Sequence, residues 1–146
     1  MQHDAARWAD AGGWLRKAVA DLRGAEIDLA ATPPLTGDAT FHCQQAAEKA
    51  LKAFLAWHDV PFRKTHDLAE IGQQCVALDA TFESVCRRAE RLTTFAWIFR
   101  YPGDADEPPV EERWGGSARW RGRASHGFAR PGDRSRRLFS RCCRRA

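Results

Sequence analysis

The sequence predicts an all-α fold: a single up-and-down bundle of four to five helices. Apolar residues recur at spacings of three, four and seven through most of residues 4–99, the period of a helix with one buried face. No stretch of useful length alternates apolar and polar residues as a half-buried strand would. Breakers gather at Pro33-Pro34, Pro61 and Pro102-Gly103, cutting the chain into helix-length segments.

The first segment, residues 4–31, carries Trp8, Leu15, Leu22 and Leu29 every seven residues, with Ala11, Ala18 and Ala25 between them. Large and small residues alternating along one seam let a neighbouring helix approach closely. Gly12, Gly13 and Gly24 each cost about 1 kcal/mol against Ala in a helix interior. Two prolines then end the helix. Asp38 or Thr40 is placed to cap the second helix, which ends near Asp59. Two long helices on a short link make an antiparallel hairpin. Thr65 is the expected N-cap of a third helix, with Leu68, Ile71, Cys75 and Leu78 as its seam. A fourth helix starting at Asp79 or Thr81 has the seam Phe82, Val85, Ala89, Leu92, Ala96 and Phe99, and ends at Arg100-Tyr101-Pro102. Pro108-Pro109 suits the opening of a fifth.

The second helix, centred on FHCQQAAEKALKAFLAW, organises the rest. Cys43, Ala47, Ala50, Leu51, Phe54 and Trp57 gather on one side as a core face. His42, Gln45, Lys49 and Lys52 gather on another, at spacings i, i+3, i+7 and i+10. Glu48 precedes Lys52 by four residues, the favourable order for a helical ion pair. The stripe reads either as a solvated face with an ordinary salt bridge or as a compact ligand-binding row. Arg100 and Tyr101 read either as the capped end of the fourth helix or as a guanidinium fork for phosphate beside a ring for stacking. His66 and Asp67 are adjacent on the helical path and do not face each other, so they read as helix initiation. Asp104, Asp106 and Glu107 read as a solvated turn.

The run FHCQQAAEKALKAFLAWHDVPFRKTHDL, followed later by FRYPGD, resembles the HEPN family (higher eukaryotes and prokaryotes nucleotide-binding). The resemblance covers about residues 5 to 112 and rests on QQAAEKALKA, THDL and RYP in that order. It implies a helical, commonly dimeric domain tied to nucleotides or RNA. The RNA-cleaving branch of the family uses an Arg followed, after roughly four to six residues, by a His for metal-free transfer at the ribose 2′-hydroxyl. Residues 1–112 contain no such pair, Arg63 to His66 being too short. Arg119 and Arg121 precede His126 at suitable distances, but in a segment so rich in Arg that such a match carries little meaning.

The chain has 146 residues and is 44% hydrophobic, enough for one domain with a real core. No apolar run approaches the roughly 20 residues of a membrane span. The acidic, apolar-poor N-terminus does not read as a secretory signal. Both observations favour the cytoplasm. Five cysteines without CxxC or zinc-finger spacing imply reduced thiols and no metal site. No cofactor is expected.

The net charge of +4 hides a division. Residues 1–112 hold 12 Lys and Arg against 18 Asp and Glu. Residues 113–146 hold 11 Arg against one acid, Asp133, with no helical period. The expected organisation is a helical domain over 1–112 and an Arg-rich tail over 113–146. That tail is expected to be disordered or frame-changed: either a reading-frame change in GC-rich coding sequence or a basic arm for RNA, DNA or anionic lipid. An acidic body does not suit a general nucleic-acid binder, which must neutralise phosphates.

The functional expectation is a non-catalytic HEPN module. By resemblance, it forms a homodimer with a nucleotide or RNA as ligand and a separately encoded minimal nucleotidyltransferase as partner, in a toxin–antitoxin arrangement. The expected ligand residues are His42, Gln45, Lys49, Lys52, Arg100 and Tyr101. The alternatives are a metal-free endoribonuclease toxin and a helical scaffold without ligand.

Overall fold

The computed structural model describes residues 2–98, in which every regular element is helical. Two helices are long, α1 (Gln2–Ala30) and α2 (Thr36–Trp57), and two are short, α3 (Leu68–Leu78) and α4 (Glu83–Glu90). None is long and apolar enough to cross a membrane among the described residues.

α1 and α2 form the expected antiparallel hairpin. Asp28 meets His42 near its link, Asp21 meets Lys49 further along, and Trp8 meets Trp57 at the far end. Their seam is built on the small residues. Ala11, Ala18 and Ala25 are 1%, 0% and 3% exposed, whereas Leu15, Leu22 and Leu29 are half-buried and Trp8 is exposed. An Ala carries nothing beyond Cβ, so α2 can lie close over these positions while the larger side chains flank the contact.

α2 is the central element. Ala47, Ala50, Leu51, Phe54 and Leu55 pack with Leu68, Ile71 and Cys75 of α3, with Cys86 and Ala89 of α4, and with Phe82 and Leu92 beside α4. Cys43 is also buried, in a second cluster with Ala25 and Ala39, while Trp57 is only half-buried against Trp8. α3 and α4 approach so closely that a Cβ on Gly72 would stand 3.0 Å from Cys86 Cβ. Cys75 and Cys86 are free thiols. Burial pushes the Cys86 thiol up to about 11 and Cys75 higher still.

The C-terminus of α2 closes with a Schellman motif. Val60 N–H donates to Leu55 O and Asp59 N–H to Ala56 O, with Asp59 in the left-handed region at φ 55°. Val60 packs back on the core that holds Leu55, the apolar contact that accompanies this cap.

Three local expectations are corrected. α2 begins at Thr36 rather than after an Asp38 or Thr40 cap, and Leu35 at its N-cap supplies no side-chain bond. The Thr40 hydroxyl instead donates to Thr36 O within the first turn. Asp67, not Thr65, caps α3, accepting from Ala69 and Glu70 N–H. Thr65 Oγ1 accepts from Asp67 N–H and so shapes the approach to that cap. The fourth helix is not continuous. A 3₁₀ turn (Ala80–Phe82) precedes α4, and another (Thr93–Ala96) follows it. Thr93 Oγ1 accepts from Leu68 N–H, one of the orphan donors at the start of α3. That recruitment fits the tightening of the backbone to i→i−3 bonds on either side of Thr93. Phe82, Ala89, Leu92 and Ala96 are buried as expected, while Val85 and Phe95 are half-buried. Phe99, Arg100, Tyr101, the fifth helix and the Arg-rich tail lie outside the described residues.

Candidate functional site: a polar seam along α2

The polar stripe of α2 faces α1 and the loop 58–67, and it divides into two charge-compensated networks. The first joins α1 to α2. Asp21 accepts from the Lys49 ammonium through Oδ2, and its Oδ1 lies 3.3 Å from His42 Nδ1. His42 Nε2 lies 3.8 Å from Asp28 Oδ2, which is buried and makes no hydrogen bond. Burial raises the Asp28 carboxyl above the usual carboxylate range; His42 opposes the shift and Asp38 adds to it. The imidazole fits here because Gly24 leaves room for it. A Cβ at Gly24 would stand 3.0 Å from His42 Nε2 and 3.1 Å from two ring carbons. The apparent cost of Gly24 to α1 is thus the space that seats His42 between two aspartates.

The second network joins α2 to the loop before α3. The Glu48 and Lys52 side chains are only 5% and 6% exposed, and they meet at 2.7 Å. Glu48 Oε2 also takes a bond from Gln44 Nε2 at 3.1 Å and lies 2.9 Å from His66 Nδ1. Lys52 donates onward to Thr65 O at 3.0 Å, and Gln44 donates to His66 O at 3.3 Å. The Lys52 ammonium lies 5.7 Å from the ring centroids of both Trp14 and Phe62, which meet edge-on. Burial alone would raise the Glu48 carboxyl. Bonds from Lys52, His66 and Gln44, with the Lys52 charge, outweigh burial and hold it below the usual range.

The expected stripe residues therefore have different surroundings. His42 and Lys49 are partly exposed and paired with α1 carboxylates. Gln45 is half-buried and donates to Gln44 Oε1. Lys52 is sealed beneath the loop, where its charge is already matched. The motifs QQAAEK, LKA and THDL thus form one assembly, Gln44 and Lys52 holding the backbone at His66 and Thr65 and Glu48 holding the His66 ring. Sequence reasoning missed Asp21, Asp28, Gln44 and the Glu48–His66 pair. The available signal was the seven-residue spacing of Asp21 and Asp28 around Gly24 on the margin of the Ala seam. Nothing local signals Glu48–His66, whose partners are eighteen residues apart.

Searches of curated proteins and of solved structures returned no match. The HEPN domain family model matches residues 11–119, which takes in all of the polar seam, and this chain belongs to the HEPN family.

Proposed function

We propose that this chain is the non-catalytic HEPN half of a toxin–antitoxin-type pair. In this reading it is a homodimer associated with nucleotide or RNA, and it docks a separately encoded minimal nucleotidyltransferase. Residues 1–112 form the HEPN unit and residues 113–146 an appended Arg-rich tail. The observation that supports the non-catalytic reading is the pairing within the stripe. Lys49 is matched by Asp21 and Lys52 by Glu48, an arrangement that fixes helices and loops. The exposed flank of α1 supports a second copy. Trp8 and Val19 are 42% and 50% exposed, with Leu15 and Leu22 half-buried on the same side.

Within the proposed ligand site, His42, Gln45 and Lys49 are the members that a nucleotide can reach on α2. Lys52 supports the loop from beneath, and the proposal adds Arg100 and Tyr101 from the sequence, both outside the described residues. Calorimetric titration of the full chain with ATP tests this. Lys49→Ala and Arg100→Ala should each weaken binding by one to two decades, the cost of a charge-assisted contact of about 1.5–3 kcal/mol. Unchanged affinity in both variants, with helicity retained, overturns the ligand site. Light scattering of wild type against Val19→Asp tests the dimer, which the substitution should dissociate. Copurification with a co-expressed minimal nucleotidyltransferase tests the partner.

A further inference from the structure

Beyond the stripe, the second network presents one reactive atom that the proposed function does not use. His66 belongs to the loop, and its side chain is 63% exposed, yet its Nδ1 is held 2.9 Å from a carboxylate oxygen of a side chain only 5% exposed. A carboxylate at that distance accepts a hydrogen bond, so the neutral imidazole carries its proton on Nδ1 and leaves the Nε2 lone pair bare. Gln44 fixes the loop backbone by donating to His66 O, and Lys52 fixes it one residue earlier at Thr65 O. The ring is therefore positioned from both its side chain and its main chain.

The surroundings favour an incoming anion. Arg63 and Lys64 precede His66 and are exposed, Arg63 resting loosely on Glu70 at 3.7 Å. Asp67, the adjacent acid, turns its carboxylate to the N–H groups of Ala69 and Glu70. Nothing comparable supports His58, which is also exposed but packs its ring on Phe54 at 4.6 Å.

We propose that His66 is a phosphoryl-acceptor site, modified at Nε2 by a small activated phosphoryl donor of the acyl phosphate or phosphoramidate class. The Nε2 lone pair forms a bond to phosphorus while the bond from phosphorus to the leaving group breaks. The leaving group departs with that electron pair, as a carboxylate from an acyl phosphate or as ammonia from a phosphoramidate, and needs no further proton. Nδ1–H stays bonded to Glu48, whose negative charge balances the imidazolium character of the product. Arg63 and Lys64, three and two residues earlier on the same exposed stretch, add positive charge to the chain beside the transferred group. Exposure suits this role better than general-base catalysis, which requires a substrate held in place, whereas a nucleophile needs only an activated donor. The proposal stands apart from the nucleotide reading, since His66 lies outside that site.

The test is incubation of the full chain with phosphoramidate, followed by peptide mass spectrometry and phosphorus NMR. The expected product is one acid-labile phosphohistidine, attached through Nε2 of His66 and absent in His66→Ala. His42 and His58 should label at least roughly ten-fold more slowly, and Glu48→Gln should slow His66 by a similar factor. Labelling of His58 as fast as His66, attachment through Nδ1, or an unchanged rate in a folded Glu48→Gln variant overturns the proposal. Should Glu48→Gln fail to fold, nitrogen NMR of the wild type decides. Nδ1–H with bare Nε2 supports the assignment, and Nε2–H refutes it.

Discussion

Two ion pairs in this protein have the same i,i+4 spacing and nearly the same contact distance, yet they should differ several-fold in energy. Glu48–Lys52 meets at 2.7 Å with side chains 5% and 6% exposed, and Glu83–Arg87 meets at 2.5 Å with side chains 57% and 76% exposed. In the exposed pair, water already solvates each charge, so Glu83→Ala should cost no more than about 0.5 kcal/mol. In the buried pair, Glu48→Ala removes the counter-charge of Lys52 and the acceptor of three bonds at once, from Lys52, Gln44 and His66. Lys52 keeps only Thr65 O and the faces of Trp14 and Phe62. Loss of one partner of a buried pair costs about 3–5 kcal/mol, mostly as the penalty of the charge left behind. Replacing both charges, as Glu48→Gln with Lys52→Met, should therefore recover much of that loss. Urea denaturation followed by circular dichroism gives all four stabilities. A cost below about 1 kcal/mol for Glu48→Ala, or a double variant no better than the single, would refute the assignment of this pair as buried and coupled.

The same network sets an acid limit. The Glu48 carboxyl is held below its unfolded value, so its contribution is present above the unfolded range, near pH 4.3, and is lost as pH falls through the folded value. Stability should fall below that range, and Glu48→Gln should flatten the decline. Asp28 has the opposite sign: its raised carboxyl penalises the folded state at neutral pH, so Asp28→Asn should raise the melting temperature at pH 7 more than at pH 3. Gly24→Ala should not deliver the helix-propensity gain of about 1 kcal/mol, because the new methyl meets His42, but it should do so in a His42→Ala background. Leu51→Ala, at 1% exposure, should cost about 2–5 kcal/mol. Cys75 and Cys86 should resist a thiol reagent at pH 8 until the protein unfolds, since burial keeps both protonated.

The sequence by itself determined the helices and their order. Periodicity and proline positions are local signals, and they located α1, α2 and α3 and the hairpin of the first two. They also marked Leu51, Phe54, Ile71 and Cys75 as core, because burial on one face imposes the helical period directly. Cap positions and the break after Glu90 were not legible. They depend on which backbone donors find partners, and Thr93 is drawn to Leu68 N–H across twenty-five residues. The stripe was legible as a row, but not as two networks. Only the hairpin brings Asp21 to Lys49, and only the loop after the Schellman turn brings His66 to Glu48. A charge on a helical wheel looks the same whether water or a carboxylate completes it. Tertiary packing made that choice, because a Lys or Glu enters the interior only where another element supplies the opposite charge and the remaining hydrogen bonds.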